Sequence, residues 1–457
     1  RRFTGRAAAF AGHAGRLVIR IEPAGAEALL LVLAEQPDAH LAQRLALLAE
    51  RIRGELGPLL TDLVPGWTSL LLHYDLTRTD HLQLAEKLKP LLERWIDQPL
   101  SERAGRLHEI PICYNGEDLA EVAQILGIKY GGSYDPEHHQ GRDLYLLPTQ
   151  TLVGAAAARQ LGVTGPQDLW GGYVEHDFIC TKAISHGLRD KNALAPAGWS
   201  PLFSERVRGV VLDGLSVFSF DDARSAAEHL LYAGPIRLKP IHACAGRGQE
   251  VIKSLDEFDA VLARPEARAL FTEGVVLEQD LSDVTTHSVG QSFFGDIVLS
   301  YCGDQYLTRD AQGEEVYGGS NLIVVRGDYD HLLELELPDD VRLAIHQAQV
   351  FDCAADQAYP AFYASRRNYD IAQGVDTNGK RRSGVLEQSW RMGGASSAEV
   401  AALQSFINDP QMRAIRVSSV ETYTDTVLPA DAIEVYRGPA QNSEFLLKYV
   451  TVQSYDG

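Results

Sequence analysis

The chain has 457 residues, 45% hydrophobic and 23% charged, with a formal net charge of −20. That length exceeds one ordinary core and calls for two or three domains. The acidic balance argues against nucleic acid or an anionic membrane as the main partner, and no apolar run reaches the roughly 18 residues of a membrane span.

Residues 1–21 hold Arg1, Arg2, Arg6, Arg16 and Arg20 and no acid, a composition seen in organelle-targeting segments. The preferred expectation is the edge of a fragment, with 1–16 unassigned and disordered. From 17 to 115 the patterns predict one small α+β domain. Leu17–Glu22 alternates as a strand, Ala28–Ala34 is a second apolar run, and His40–Glu55 has helical spacing through Leu41, Leu45, Leu48 and Ile52. Leu59–Val64 and Ser69–Tyr74 flank the turn Pro65-Gly66-Trp67, His81–Ile96 is a second amphipathic helix, and Leu107–Tyr114 is a further strand that closes this unit or opens the next.

A short α/β segment is expected over 116–184, with a helix at Asp118–Leu126, a strand at Leu144–Pro148, a helix at Leu152–Leu161 and a strand at Phe178–Ile184. From 185 to 457 strands and helices alternate in α+β fashion. Asp221–Ala233 and Leu255–Leu262 read as helices. Ile236–Pro240, Glu250–Ile252 and Gly274–Glu278 read as strands, and Ser288–Phe294 with Asp296–Tyr301 as a hairpin. The five cysteines, Cys113, Cys180, Cys244, Cys302 and Cys353, are scattered and form no CxxC pair. This is the pattern of a reducing cytoplasm with buried apolar thiols.

Two stretches carry the chemistry. In the first, Lys239 ends the strand Ile236–Pro240 and the loop Gly246-Arg247-Gly248 follows within ten residues. A lysine before a glycine loop puts an ammonium and backbone N–H groups on phosphate oxygens, and glycine lets the backbone approach closely. Neither GxxxxGK[ST] nor GxGxxG is present. In the second, Asp370 and Glu387 lie on apolar-flanked segments. Mg2+ prefers hard oxygens and keeps waters and substrate phosphates, so two protein carboxylates suffice. Arg309, with Arg366 or Arg367, is a candidate clamp for a carboxylate or a transferring phosphoryl group.

Residues 17–115 resemble the N-terminal half of the kinase-inhibitor-like carboxyltransferase family of 5-oxoprolinase components through Leu63-Val-Pro-Gly-Trp-Thr-Ser-Leu-Leu-Leu-His-Tyr-Asp75 and Glu109-Ile-Pro-Ile-Cys-Tyr114. The Leu-Gly-Phe-x-Pro-Gly-Phe-type signature of that family's second half does not follow, so the resemblance implies an interaction module with a docking partner. From about 115 onward the chain resembles the ATP-grasp superfamily, closest to bacterial ATP-grasp-like proteins known mainly as a domain of unknown function. That resemblance implies two α+β lobes binding ATP and Mg2+. It assigns Lys182, within Cys180-Thr-Lys-Ala-Ile-Ser-His186, as a first phosphate lysine lying on a strand. It assigns the hinge Val275-Val-Leu-Glu-Gln-Asp-Leu281 to adenine, with Glu278 as the side-chain contact and the backbone near Gln279 and Leu281 as the others. Thr285 and Thr286 stand where an acid often holds the ribose, and Asp283 or a threonine hydroxyl is the substitute. Asp370 and Glu387 match the metal acids, Ser389 replaces the usual Asn, and Arg391 with Gly393-Gly394 matches the Arg-x-Gly-Gly continuation.

The expected function is an ATP- and Mg2+-dependent carboxylate–amine (or thiol) ligase working on small molecules through an acylphosphate, with Arg391 and Arg309 as catalytic groups. A kinase-like phosphotransferase acting on a hydroxyl is one alternative. A non-catalytic nucleotide-binding protein with a 5-oxoprolinase-like interaction module is another.

Overall fold

The computed structural model describes residues 17–25, 27–34, 39–66, 68–96, 109–111, 122–123, 128–139, 141–243, 248–310, 312–439 and 445–455. The chain divides into two compact units, Arg1–Arg106 and Leu107–Gly457.

In the first unit, strands β1 (Leu17–Pro23), β2 (Ala28–Ala34), β3 (Leu60–Pro65) and β4 (Ser69–Tyr74) form an antiparallel sheet in the order β1-β2-β4-β3. Leu29, Leu31 and Leu33 bury one face of β2, as a period of two requires. They pack with Leu45, Leu48 and Ile52 of the helix Ala39–Leu56 and with Leu84, Leu88 and Leu91 of the helix His81–Ile96. The layer of helices on an antiparallel sheet is the one its sequence pattern predicts.

The second unit opens with a parallel pair, β5 (Glu109–Pro111) and β6 (Lys129–Gly132). Of the helix expected at Asp118–Leu126, Val122 and Ala123 are helical and the rest lies outside the described residues. The strand expected at Leu144–Pro148 reduces to one bridge, Leu146 to Leu169. Next, β7 (Leu152–Val153) pairs with β8 (Gly172–Val174), and Gly154 at φ 83° turns the chain into the helix Ala155–Leu161, three residues later than expected.

Two lobes then follow. Strands β9 (Gly214–Val217), β10 (Ile236–Pro240), β11 (Glu250–Ile252) and β12 (Val275–Gln279) form an antiparallel sheet in the order β11-β10-β12-β9, backed by the helices Phe220–Leu231, Leu255–Leu262 and Ala267–Glu273. The second lobe is built on β13 (Ser282–Phe294), β14 (Ile297–Arg309) and β15 (Glu315–Arg326). The short β16 (Tyr363–Ala364) pairs back to β8. With β17 (Arg366–Val375), β18 (Arg381–Ser389), β19 (Ala414–Thr422), β20 (Ala432–Pro439) and β21 (Phe445–Ser454), the second lobe completes an eight-stranded antiparallel sheet in the order β18-β17-β13-β14-β15-β19-β21-β20. One face buries Val289, Cys302, Tyr369 and Ile371 against Ala348 and Phe351 of the helix Asp339–Ala358. The other buries Leu299, Tyr301, Leu322 and Val324 against Ala398, Ala402 and Phe406 of the helix Ser396–Asn408. This is the α+β class with two lobes after a small N-terminal unit.

Gly290 marks a close approach inside this sheet. A Cβ there would lie 2.3 Å from the Tyr301 ring and hydroxyl and 2.6 Å from the Arg367 carbonyl. Gly290→Ala is therefore expected to cost about 3 kcal/mol through overpacking, read as a lower denaturant midpoint at unchanged slope. An unchanged midpoint would show that Tyr301 is not packed over this glycine.

Cys302 is buried, as expected for a core thiol, but Cys180 is only partly buried and Cys353 is exposed on its helix. Among the described residues no helix is long and apolar enough to cross a membrane.

Candidate functional site

Alternation along β10 sends Leu238 into the first lobe's core and Lys239 to the opposite face, where Lys239 pairs with Glu278 of β12. The second Glu278 oxygen meets His186 Nε2 at 2.9 Å. All three side chains are buried. Gly214 makes room for the imidazole, since a Cβ there would lie 2.7 Å from it. Burial alone would raise the Glu278 carboxyl, but the Lys239 charge and the His186 hydrogen bond outweigh it and hold it at about 2. Both oxygens of the residue expected to contact adenine are thus engaged by protein groups. Next to it, Gln279 N–H donates to Asp213 O at 2.8 Å, and Leu281 is buried at the entry to β13. Of the ribose candidates, Asp283 and Thr285 are exposed and Thr286 is half-buried, and Asp283 takes φ 50° in a bulge of β13.

The strand expected at Phe178–Ile184 is instead two 3-10 turns, Asp177–Cys180 and Lys182–Ser185. Thr181 explains the difference. Its hydroxyl donates to Phe178 O at 2.8 Å and accepts from Ala183 N–H at 3.2 Å, so a local side-chain bond replaces a ladder. Lys182 therefore lies in a turn, not on a strand. Gln388 of β18 pins that turn by donating to Ile179 O and Thr181 O, both at 2.8 Å. The buried Lys182 ammonium then lies 2.9 Å from Glu387 Oε2 and 2.6 Å from Ala243 O in the loop after β10. In that loop Gly246 and Arg247 lie outside the described residues, and Gly248 is exposed with φ 66°.

Asp370 faces Glu387 directly across the β17–β18 hairpin, and Asn368 faces Ser389 two residues along. Gln305 Nε2 and Asn368 Nδ2 both donate to Asp370 Oδ1, at 2.7 and 3.2 Å. Burial, joined by the Glu387 charge, pushes the Asp370 carboxyl up to about 6. A facing pair of hard carboxylate groups fits Mg2+, which needs few protein ligands. Among the described residues no cluster of three His, Cys, Asp or Glu side chains offers a richer metal site. The Arg391 charge acts on Asp370, and its Nη1 donates to Met392 O at 2.6 Å.

The other arginines fall elsewhere. Arg309 is exposed and closes its own hairpin, donating to Gly313 O at 2.8 Å and pairing with Glu315 at 3.3 Å. Arg366 and Arg367, adjacent on β17, point to opposite faces, and each is already engaged in ion pairing within the chain. Arg366 pairs with Glu399, and Arg367 with Asp352 and Asp356. The clamp expected from Arg366 or Arg367 is corrected on that ground. Sequence reading missed Gln305 and Gln388, whose contacts arise only from the sheet register. It could have found Asn368, which shares a strand face with Asp370 two residues on.

Residues 112–450 match the family model described as protein of unknown function DUF3182. The chain belongs to that family. Residues 19–135 match the carboxyltransferase domain, subdomain C and D. No curated protein gives a significant match. Among solved structures, the phosphoribosylamine–glycine ligase of Thermotoga maritima is 13% identical, with 76% of this chain and 93% of that chain covered and a TM-score of 0.41. The biotin carboxylase domain of the Hydrogenobacter thermophilus 2-oxoglutarate carboxylase, in complex with MgADP, ADP and bicarbonate, is 12% identical, with coverage of 75% and 85% and a TM-score of 0.44. A conserved uncharacterized protein of Pyrococcus horikoshii is 30% identical, covering 24% of this chain and 50% of that chain, with a TM-score of 0.17. All three TM-scores lie below 0.5, so the reading of the DUF3182 site rests on its own residues.

Proposed function

We propose that the chain is an ATP- and Mg2+-dependent ligase joining a small-molecule carboxylate to an amine or thiol. The observation that carries this reading is the convergence of a buried lysine on facing carboxylates: Lys182 lies 2.9 Å from Glu387, and Glu387 stands opposite Asp370. Lys182 and Lys239 hold the phosphates, and the Gly246-Arg247-Gly248 loop covers them. Asp370 and Glu387, with Ser389 as a third oxygen, would hold Mg2+, which supplies charge neutralisation at the phosphates when bound. Arg391 stabilises charge on the phosphoryl group in flight. A substrate carboxylate oxygen attacks the γ-phosphorus, the bond to the β–γ bridging oxygen breaks, and ADP leaves. The amine then adds to the acyl carbon, loses a proton and expels phosphate. The segment 116–184 and the domain 185–457 carry this chemistry, and residues 17–115 dock a partner protein.

The test is calorimetric titration of ATP with Mg2+ into wild type and Lys182→Met, beside phosphate release over a panel of carboxylates with amines. Wild type should bind, Lys182→Met should bind at least about tenfold more weakly through loss of a charge-assisted contact, and phosphate should appear with a new amide. A phosphorylated product in place of the amide would turn the reading into a kinase. Folded wild type that binds no ATP would remove it.

A further inference from the structure

The facing acids rest on a buried polar layer to which the proposed reaction assigns no role. Arg366 and Glu399 are 1% and 0% exposed. Arg366 donates through Nη2 to Glu399 Oε1 at 2.6 Å and through Nε to Oε2 at 3.2 Å. Ser292 Oγ also donates to Oε2. The fully buried Tyr301 hydroxyl lies 2.8 Å from Glu399 Oε1 and 2.9 Å from Asn368 Oδ1, and its single proton serves both. Ser288 donates to the same Asn368 oxygen at 2.8 Å.

The layer reaches both flanks of the site. On one side, Arg366 Nη1 donates to the carbonyl of Arg391 and lies 3.4 Å from that of Ser389, which fixes the backbone that carries Arg391. On the other side, the hydroxyls of Tyr301 and Ser288 draw the Asn368 carbonyl inward. The Asn368 amide nitrogen is then left facing Asp370 Oδ1. Gln305 meets that same oxygen, and among the described residues Asp370 Oδ2 has no protein donor. If the Asn368 amide turned over, its oxygen would face a carboxylate.

A fully buried ion pair is often no more stabilising than apolar side chains of the same volume. What this pair adds is connection, because Tyr301 joins it to the amide that orients Asp370. We propose that Tyr301 is a positioning residue for the metal acids. It fixes the Asn368 amide so that Asp370 is held through Oδ1 while Oδ2 stays open. This rests on the ATP and Mg2+ reading given above.

The experiment compares Tyr301→Phe with Ser292→Ala. Both remove one hydroxyl from Glu399, but only Tyr301 also touches Asn368. ADP affinity is measured by calorimetry with Mn2+ and with EDTA, and the ratio reports the metal's contribution free of any general loss. Tyr301→Phe should lower that ratio about tenfold, the low end for groups that orient metal ligands. Ser292→Ala should stay within about twofold, and the two should lower the melting temperature alike. If wild type shows the metal enhancement and Tyr301→Phe keeps it, or Ser292→Ala loses it equally, the positioning role is overturned. If wild type binds no ADP in either condition, the nucleotide reading itself fails and takes this role with it.

Discussion

Replacing Lys239 by methionine should abolish nucleotide binding and also destabilise the fold by about 3–5 kcal/mol, the cost of stranding a buried charge. The loss has two separable parts. The lysine is the proposed phosphate ligand, and it is also the main counter-charge of a Glu278 that is 2% exposed. Adding Glu278→Gln to Lys239→Met removes the stranded charge, so the double variant should recover most of the stability and none of the binding. The same pair sets an acid limb. The Glu278 carboxyl is held at about 2 in the folded protein, against an ordinary value of 4.5. A group lowered on folding stabilises the native state above its unfolded value, and that contribution fades as pH falls. Between pH 4.5 and about 2, wild type should lose about 3 kcal/mol from this source, and the double variant should lack that part of the slope. Denaturant titrations of the three proteins across that window, with nucleotide calorimetry at neutral pH, check both parts. A double variant that binds ATP as wild type does would remove Lys239 from the site.

Glu387→Gln should lower any Mg2+-dependent turnover by about 10³-fold and at the same time tighten metal-free ATP binding. In the structure the Lys182 ammonium is neutralised by Glu387 at 2.9 Å, so a phosphate must displace a carboxylate to reach it. Metal bound to Glu387 would remove that competition, and so does an amide in its place. With EDTA present, the variant should bind ATP about tenfold more tightly than wild type, in line with loss of one charge-assisted bond. With Mg2+ it should gain little more. Calorimetry in the two conditions decides it. Equal metal-free affinities would mean that the Lys182–Glu387 pair does not compete with nucleotide.

Much of this architecture is legible in the sequence where one periodicity acts alone. The helix His81–Ile96 and the strands Ile236–Pro240 and Ser69–Tyr74 have the predicted bounds, because an apolar stripe at period 3.6 or 2 determines them locally. Phe178–Ile184 has strand-like composition, yet the Thr181 hydroxyl closes a turn within three residues, and that competition does not show in hydropathy. The site divides in the same way. Lys239, Asp370 and Glu387 stand out because charges flanked by apolar runs need a reason. Glu399, Tyr301 and Gln388 do not, since their partners lie across the sheet or in another segment and only the register brings them together. Arg366 and Arg367 show the limit most clearly. Adjacent strand residues point to opposite faces, so one motif supplies ion pairs to two unrelated sets of acids.

The β17–β18 hairpin has a consequence for the order of assembly. Asp370 and Glu387 are joined through a short turn and meet as soon as it closes, whereas Lys182 arrives from a distant part of the chain and must wait for a long loop to close. The mutual repulsion of the two acids is therefore borne first and relieved last. In this architecture the cation acts as a keystone for two acids that the hairpin has already brought together.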